Sequence, residues 1–177
     1  SDGLPSGIKS VLERRVWDLG ACTDRQVKLK YNGTTLPVKT FEQYIDQYIG
    51  SKSDAPRVYE RANDRWEYGV AMSSKEEFEQ ISFVNGISTS KGGKHVDFIV
   101  GQITRKLIAY IEAKKKVKVR ATTIREQLFV FVNCDVENPA FDSQSKTYLA
   151  TASSKFGSSC TVSDKFIEKL AKTTSIM

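Results

Sequence analysis

Residues Phe129–Lys146 read FVFVNCDVENPAFDSQSK, and the reading of this stretch decides the fold. Together with Leu128 it opens on an unbroken apolar run, Leu128-Phe129-Val130-Phe131-Val132. A run of that length fits a strand covered on both faces, with a buried helix segment as the competing reading. Its β-branched and aromatic content favours the strand. Asn138-Pro139 is expected to end it, because proline cannot continue a ladder and restricts the residue before it. The polar loop Ala140–Lys146 follows, ending on an amide, Gln144, and an ammonium, Lys146. A lysine carried by a rigid strand is a point charge suited to an anion such as phosphate, although most loop lysines are simply solvated.

Upstream of this stretch, Val96, Val100, Ile103, Leu107 and Ile111 recur at helical spacing and mark a long amphipathic helix, the candidate to cover one face of the sheet. Ahead of it, Ile87–His95 is a loop of small polar residues at a helix start, where free N–H groups and the positive dipole end gather. Two readings stay open there: an anion cradle, or a connection that needs glycine for its backbone angles. Neither the P-loop nor the GxGxxG spacing is present. Beyond the helix, Lys114-Lys115-Lys116-Val117-Lys118-Val119-Arg120 holds five positive charges in seven residues with no acid between them. This is either a solvated basic loop or a phosphate contact without base readout, since no aromatic residue lies within it.

Further strands are expected from Val58-Tyr59, over Trp66–Met72, and over Phe78–Val84, with a turn at Ser73–Glu77. The first fifty residues read as helix, hairpin, helix. Ile8–Leu19 is closed by Gly20, and Val27–Leu36 folds back at Asn32-Gly33. The second helix is opened by the capping box Thr40–Gln43, shows the apolar face Phe41, Tyr44, Ile45, Tyr48 and Ile49, and is closed by Gly50. Ser51–Pro56 reads as a linker. At the other end, Phe156–Cys160 is a turn and Ser163 caps a last helix with Phe166, Ile167 and Leu170 inward.

The chain of 177 residues suffices for one domain, or one domain and part of another. Its net charge of +6 permits an acidic partner such as nucleic acid without requiring one. Cys22, Cys134 and Cys160 are odd in number and far apart, which fits reduced thiols; with a single histidine, no structural metal site is expected. No apolar run approaches the roughly 18 residues of a membrane helix, and no signal-peptide pattern opens the chain. His95 gives no support for a catalytic triad and is expected to bond backbone rather than act as a base; Glu76-Glu77 is expected in a solvated turn. The ends, Ser1-Asp2-Gly3 and Ile176-Met177, read as cuts in a longer chain. From the residues alone the expectation is an α/β accessory domain with two anion-contacting loops. A free-standing basic nucleic-acid-binding module is the alternative.

Three stretches together resemble successive signatures of eukaryotic type II DNA topoisomerases: ISFVNGISTSKGGKHVD (Ile81–Asp97), FVFVNCDVENPAFDSQSK (Phe129–Lys146) and FGSSCTVSDKF (Phe156–Phe166). SVLERRVWDLGA (Ser10–Ala21) and VKLKYNGTTLP (Val27–Pro37) resemble the end of that family's ATPase domain. The resemblance implies residues 1–52 as the C-terminal part of a GHKL-type ATPase domain and 53–177 as the transducer domain. It implies an α+β fold: a mixed β-sheet backed by helices, ribosomal-protein-like, with a left-handed βαβ crossover. The ATPase part would precede it as a helix–hairpin–helix tail. Gln144-Ser145-Lys146 falls on the family's Gln-Thr-Lys loop, whose lysine reaches the γ-phosphate of ATP held by the neighbouring domain; Ser145 replaces threonine and keeps the hydroxyl. Lys114, Lys115 and Lys116 fall on the basic loop that contacts captured double-stranded DNA. The implied cofactors are ATP and Mg2+, the assembly a homodimer without membrane attachment, and the compartment the nucleus. The family's ATP-binding and DNA-cleaving residues would lie outside Ser1–Met177, so the segment alone is expected to be inactive, with neither a catalytic nor a metal-binding residue of its own.

Overall fold

The computed structural model describes residues 29–31, 34–36, 40–50 and 55–174. The helix expected over Ile8–Leu19, the Asn32-Gly33 turn, Cys22 and linker residues 51–54 lie outside the described residues. Strands β1 (Leu29–Tyr31) and β2 (Thr34–Leu36) pair antiparallel with Leu29 opposite Leu36, the hairpin that the alternation predicts.

Helix α1 (Phe41–Ile49) starts as its capping box requires. The Thr40 hydroxyl accepts the Gln43 amide at 3.1 Å, and Gly50, at φ 89, returns its amide to the Asp46 carbonyl at 2.9 Å. A left-handed residue at that position satisfies an otherwise orphaned helix carbonyl.

Five strands form the main sheet: β3 (Arg57–Asn63), β4 (Trp66–Met72), β5 (Glu79–Val84), β6 (Ile87–Ser88) and β7 (Leu128–Cys134), in the order β3-β4-β7-β5-β6. The apolar run is the central strand, antiparallel to β4 and parallel to β5. A parallel neighbour demands a crossover, supplied here by α2 (Lys94–Lys115) and the short α3 (Ala121–Arg125). Strand alternation then splits β7 between two cores. Leu128, Val130, Val132 and Cys134 pack with Val96, Ile99, Ile103, Leu107 and Ile111 of α2. The same layer contains Phe166, Ile167 and Leu170 of the last helix, α4 (Asp164–Thr174). Phe129 and Phe131 face the other way, into a cluster with Phe41, Tyr44 and Ile45 of α1, Ala71, Ile81 and Phe83. Gly69 in β4 makes room for α1, since a β-carbon there would lie 2.8 Å from Ile45 Cδ1. Buried Arg57 adds an ion pair to Asp46 at 2.9 Å, joining β3 to α1.

Four expectations need correction. Strand β7 stops at Cys134, ahead of Asn138-Pro139, because the Asp135 amide turns to the Arg65 carbonyl (2.9 Å) and the Glu137 amide to that of Phe156 (2.8 Å). Ile87-Ser88, read as the start of the polar loop, form the two-residue strand β6, which closes a hairpin with β5 across Asn85-Gly86. The basic run begins inside α2: Lys114 and Lys115 occupy its last turn, where the dipole favours cations, and Lys116 caps it in the left-handed region at φ 54. Helix α3 was not foreseen, having a single buried side chain, Ile124, and so no periodicity to detect.

The ring of Phe83 is fully buried and meets Phe41 and Tyr44 edge-on, at centroid distances of 5.9 and 5.5 Å. Phe83→Ala is expected to cost about 3–5 kcal/mol in urea unfolding. A loss below about 1 kcal/mol would mean that α1 does not close this face of the sheet.

Candidate functional site

Gln144, Ser145 and Lys146 are exposed at the tip of a small hairpin-like loop. Its tip is a turn closed by the Lys146 amide on the Ser143 carbonyl (3.1 Å), with the Ser143 and Ser145 hydroxyls 2.7 Å apart. Lys146 itself adopts φ 58. A lysine in the left-handed region costs on the order of 1 kcal/mol relative to glycine, and strain of this kind gathers at functional positions. Its ammonium makes no ion pair among the described residues.

The arms below the tip are bonded to each other. The Ala150 amide donates to the Ala140 carbonyl (2.8 Å), the Asp142 amide to that of Tyr148 (3.2 Å), and the Ala140 amide to the Thr151 hydroxyl (2.7 Å). The returning arm is also held from outside, by the loop that starts α2. Lys91 donates its amide to the Thr147 carbonyl (2.8 Å), Leu149 donates to Gly92 (3.1 Å), and Lys94 donates to Leu149 (2.9 Å). Gly93 sits at φ 147 at this crossing, where a β-carbon would lie 2.5 Å from the Leu149 nitrogen. Only glycine fits there, on both conformational and steric grounds.

The two loops singled out in sequence are therefore one unit, and their roles differ. The amides of Lys91, Gly92 and Lys94 are already committed to the carbonyls of Thr147, Thr89 and Leu149, so Ile87–His95 serves as a clamp on the returning arm. His95 is not the backbone bonder expected. Its ring is fully buried, with Nε2 3.0 Å from the Thr89 hydroxyl and Nδ1 without a partner among the described residues. Burial pushes its pKa down to about 3, so the ring is neutral. Of the clamp residues, Leu149 escaped the sequence reading; Thr89 and Gly93 lie in the loop read there, and Gly93 realises the connection that needs glycine for its backbone angles.

Lys114, Lys115 and Lys116 are exposed at the opposite end of α2. The helix runs for 22 residues, roughly 33 Å, so the fold does not bring the two lysine sets together. The Lys114 ammonium lies 5.8 Å from the Tyr110 ring centre, and Glu112 accepts the Val119 amide at 3.3 Å. Lys116, Lys118 and Arg120 make no ion pair among the described residues. The Cys134 and Cys160 side chains are buried; burial, then the nearby Glu60 carboxylate, pushes the Cys160 thiol up to about 12. Among the described residues, no cluster of His, Cys, Asp or Glu is fit to hold a metal, and no helix is long and apolar enough to cross a membrane.

The described residues form an α+β fold, a five-stranded mixed sheet with helices packed on it, that matches the ATPase and transducer region of type II topoisomerases. The chain belongs to the DNA gyrase B family, whose model, that of the transducer domain, matches residues 40–177. Within that family it corresponds to the ATPase and transducer region of the eukaryotic type II DNA topoisomerases, ATP-dependent isomerases to which it is homologous. It is 40% identical to DNA topoisomerase 2 of Arabidopsis thaliana over 96% of its own length and 12% of that protein. Against human DNA topoisomerase 2-beta the identity is 42%, over 93% of this chain and 10% of the other. The chain thus spans about an eighth or less of these relatives. Among solved structures it superposes on the ATPase region of Saccharomyces cerevisiae topoisomerase II with a TM-score of 0.84 and 39% identity, covering 96% of this chain and 43% of that one. For the ATPase and transducer domains of DNA topoisomerase II from Balamuthia mandrillaris the TM-score is 0.85 and the identity 38%, covering 96% and 42%.

The depressed pKa of His95 makes stability depend on pH. Unfolded, the ring takes a proton near its ordinary 6.5; folded, it takes one only near 3. The stability that this difference carries is complete above about pH 6.5 and is lost as the pH falls towards 3. Between pH 7 and pH 5 the wild-type chain should lose about 2 kcal/mol that His95→Gln does not lose. Urea midpoints of the two proteins across that range check it, and parallel losses would refute a neutral buried ring.

Proposed function

We propose that this chain is the transducing segment of a type II DNA topoisomerase, coupling ATP binding and hydrolysis to dimer-gate closure and strand passage. The observation that carries the reading is Lys146. It is an exposed cation, without an ion pair among the described residues, held in a left-handed turn whose arms are bonded both to each other and to the start of α2.

In this reading ATP with Mg2+ is held by the neighbouring GHKL domain, and its γ-phosphate supplies the anion. Lys146 donates to that phosphate, with Gln144 and Ser145 beside it on the same turn. A charge-assisted hydrogen bond contributes about 1.5–3 kcal/mol, enough to bias two domain orientations by roughly ten- to a hundred-fold. The bias exists while the γ-phosphate does. Because the loop is fastened to the sheet and to α2, a displacement at Lys146 moves both as a rigid unit. The domain boundary at 52/53 belongs to the same reading. It leaves α1 as the end of the ATPase part, seated on the transducer sheet through Phe41, Tyr44 and Ile45. The left-handed sense of the β5-to-β7 crossover, nuclear localisation and the homodimer are further parts of it.

At the far end of α2, Lys114, Lys115 and Lys116 meet the phosphates of the transported duplex without reading its bases. Helix α2 then acts as the strut between nucleotide and DNA.

In the full-length protein, Lys146→Asn should lower ATP hydrolysis and strand passage at least tenfold, while unfolding stability changes by less than about 0.5 kcal/mol, because asparagine tolerates the left-handed region. Unimpaired turnover would remove Lys146 from the mechanism. Replacing Lys114, Lys115 and Lys116 together by glutamine should reduce the slope of log affinity for duplex DNA against log salt by up to about 2.7, at about 0.9 per phosphate contact. An unchanged slope would assign these lysines to solvent.

A further inference from the structure

Beneath the clamp lies a row of polar side chains that the preceding mechanism does not use. Ser82, in the middle of β5, is fully buried, as are Thr89 and His95. The Ser82 hydroxyl donates to Gln80 Oε1 at 2.6 Å, lies 2.6 Å from the Thr89 hydroxyl, and is 3.1 Å from the Thr89 carbonyl. Thr89 Oγ1 is in turn 3.0 Å from His95 Nε2. At the other end, the Gln80 amide donates to the Ser90 carbonyl at 3.1 Å.

Each hydroxyl has one proton, and this orders the row. With the Ser82 proton on Gln80, the Thr89 hydroxyl donates to Ser82, and His95 must donate its Nε2–H to Thr89. Every bond then points the same way, an arrangement in which successive hydrogen bonds polarise and strengthen one another. Nδ1 is left as a bare acceptor, in keeping with its lack of a partner among the described residues. Burial keeps the ring neutral, so the row persists across physiological pH.

Thr89 and His95 flank residues 90–94, the segment whose backbone holds Thr147 and Leu149. Thr147 follows Lys146 directly. We propose that Thr89 and His95, backed by Ser82 and Gln80, are positioning residues for Lys146: they fix the clamp in one setting, and the clamp fixes the direction of the ammonium. The proposal rests on the reading of Lys146 as the γ-phosphate contact. A shift of about 1 Å at a group of this kind costs on the order of a hundredfold in rate, so a loosened clamp is felt in turnover although none of its residues touches nucleotide.

The test is steady-state ATP hydrolysis by the full-length protein carrying Thr89→Val, which keeps the side-chain shape and removes the central hydroxyl. The rate constant kcat should fall about tenfold with KM for ATP within about twofold, and Thr89→Ser should restore the rate. Lys146→Asn combined with Thr89→Val should be no slower than Lys146→Asn alone, because a positioning residue has nothing left to position. Multiplying effects would show that Thr89 acts by another route and would overturn the proposal. So would a slow Lys146→Asn beside an unimpaired Thr89→Val; a fully active Lys146→Asn would instead sink the phosphate reading itself. Should Thr89→Val fail to fold, Ser82→Ala interrupts the row one residue away and carries the same expectations. Nitrogen-15 chemical shifts of the His95 ring give an independent readout: a protonated Nε2 and bare Nδ1 are expected, and the reverse tautomer would overturn the ordered row.

Discussion

The constraint on which everything else depends is that β7 is dry on both sides. Phe129 and Phe131 press into one core while Leu128, Val130, Val132 and Cys134 press into the other. A strand of this kind cannot lie at an edge or on a surface, so helices must cover each face of the sheet. Its antiparallel and parallel partners then follow from the order of the chain: β4 is reached before the crossover, and the crossover through α2 and α3 returns β7 alongside β5. The chain leaving β7 starts from Cys134, buried in the larger of the two cores.

That firmness gives a surface lysine mechanical meaning. A cation on a loosely tethered loop can bind an anion and transmit nothing. Here the loop around Lys146 is bonded across its own base and again to residues 91–94, which open the 22-residue α2. Gly93 permits the second attachment because its missing side chain lets two backbones touch. Basic residues at the far end of α2 complete a rigid member with a charge-bearing site at each end. Interfaces of this sort move as units, because packed cores resist gradual deformation.

The polar row from Gln80 to His95 has the opposite character to the apolar cores and complements them. Hydrophobic packing fixes the sheet and its helices, but it is non-directional and would tolerate small shifts of a loop. Hydrogen bonds among buried hydroxyls and an imidazole fix angles as well as distances, since leaving any member unpaired is costly. The row lies beneath the segment that holds the lysine loop, where a directional constraint is of most use.

Much of this was legible in the residues. The run Leu128–Val132 implied a doubly covered strand, periodicity from Val96 to Ile111 implied α2, and the Thr40 box and Ser163 implied two helix starts, each realised by a side-chain bond to a backbone amide. These features are local or periodic, so the chain expresses them without reference to distant residues. Tertiary structure alone decided that the glycine-rich loop is a clamp, that His95 is a neutral buried link, and that the two lysine sets stand at opposite ends of one helix. The reason is physical: whether an amide is free or a ring is dry depends on which backbone arrives beside it, and Leu149 reaches Gly93 from far along the chain. No spacing within a single segment encodes that meeting.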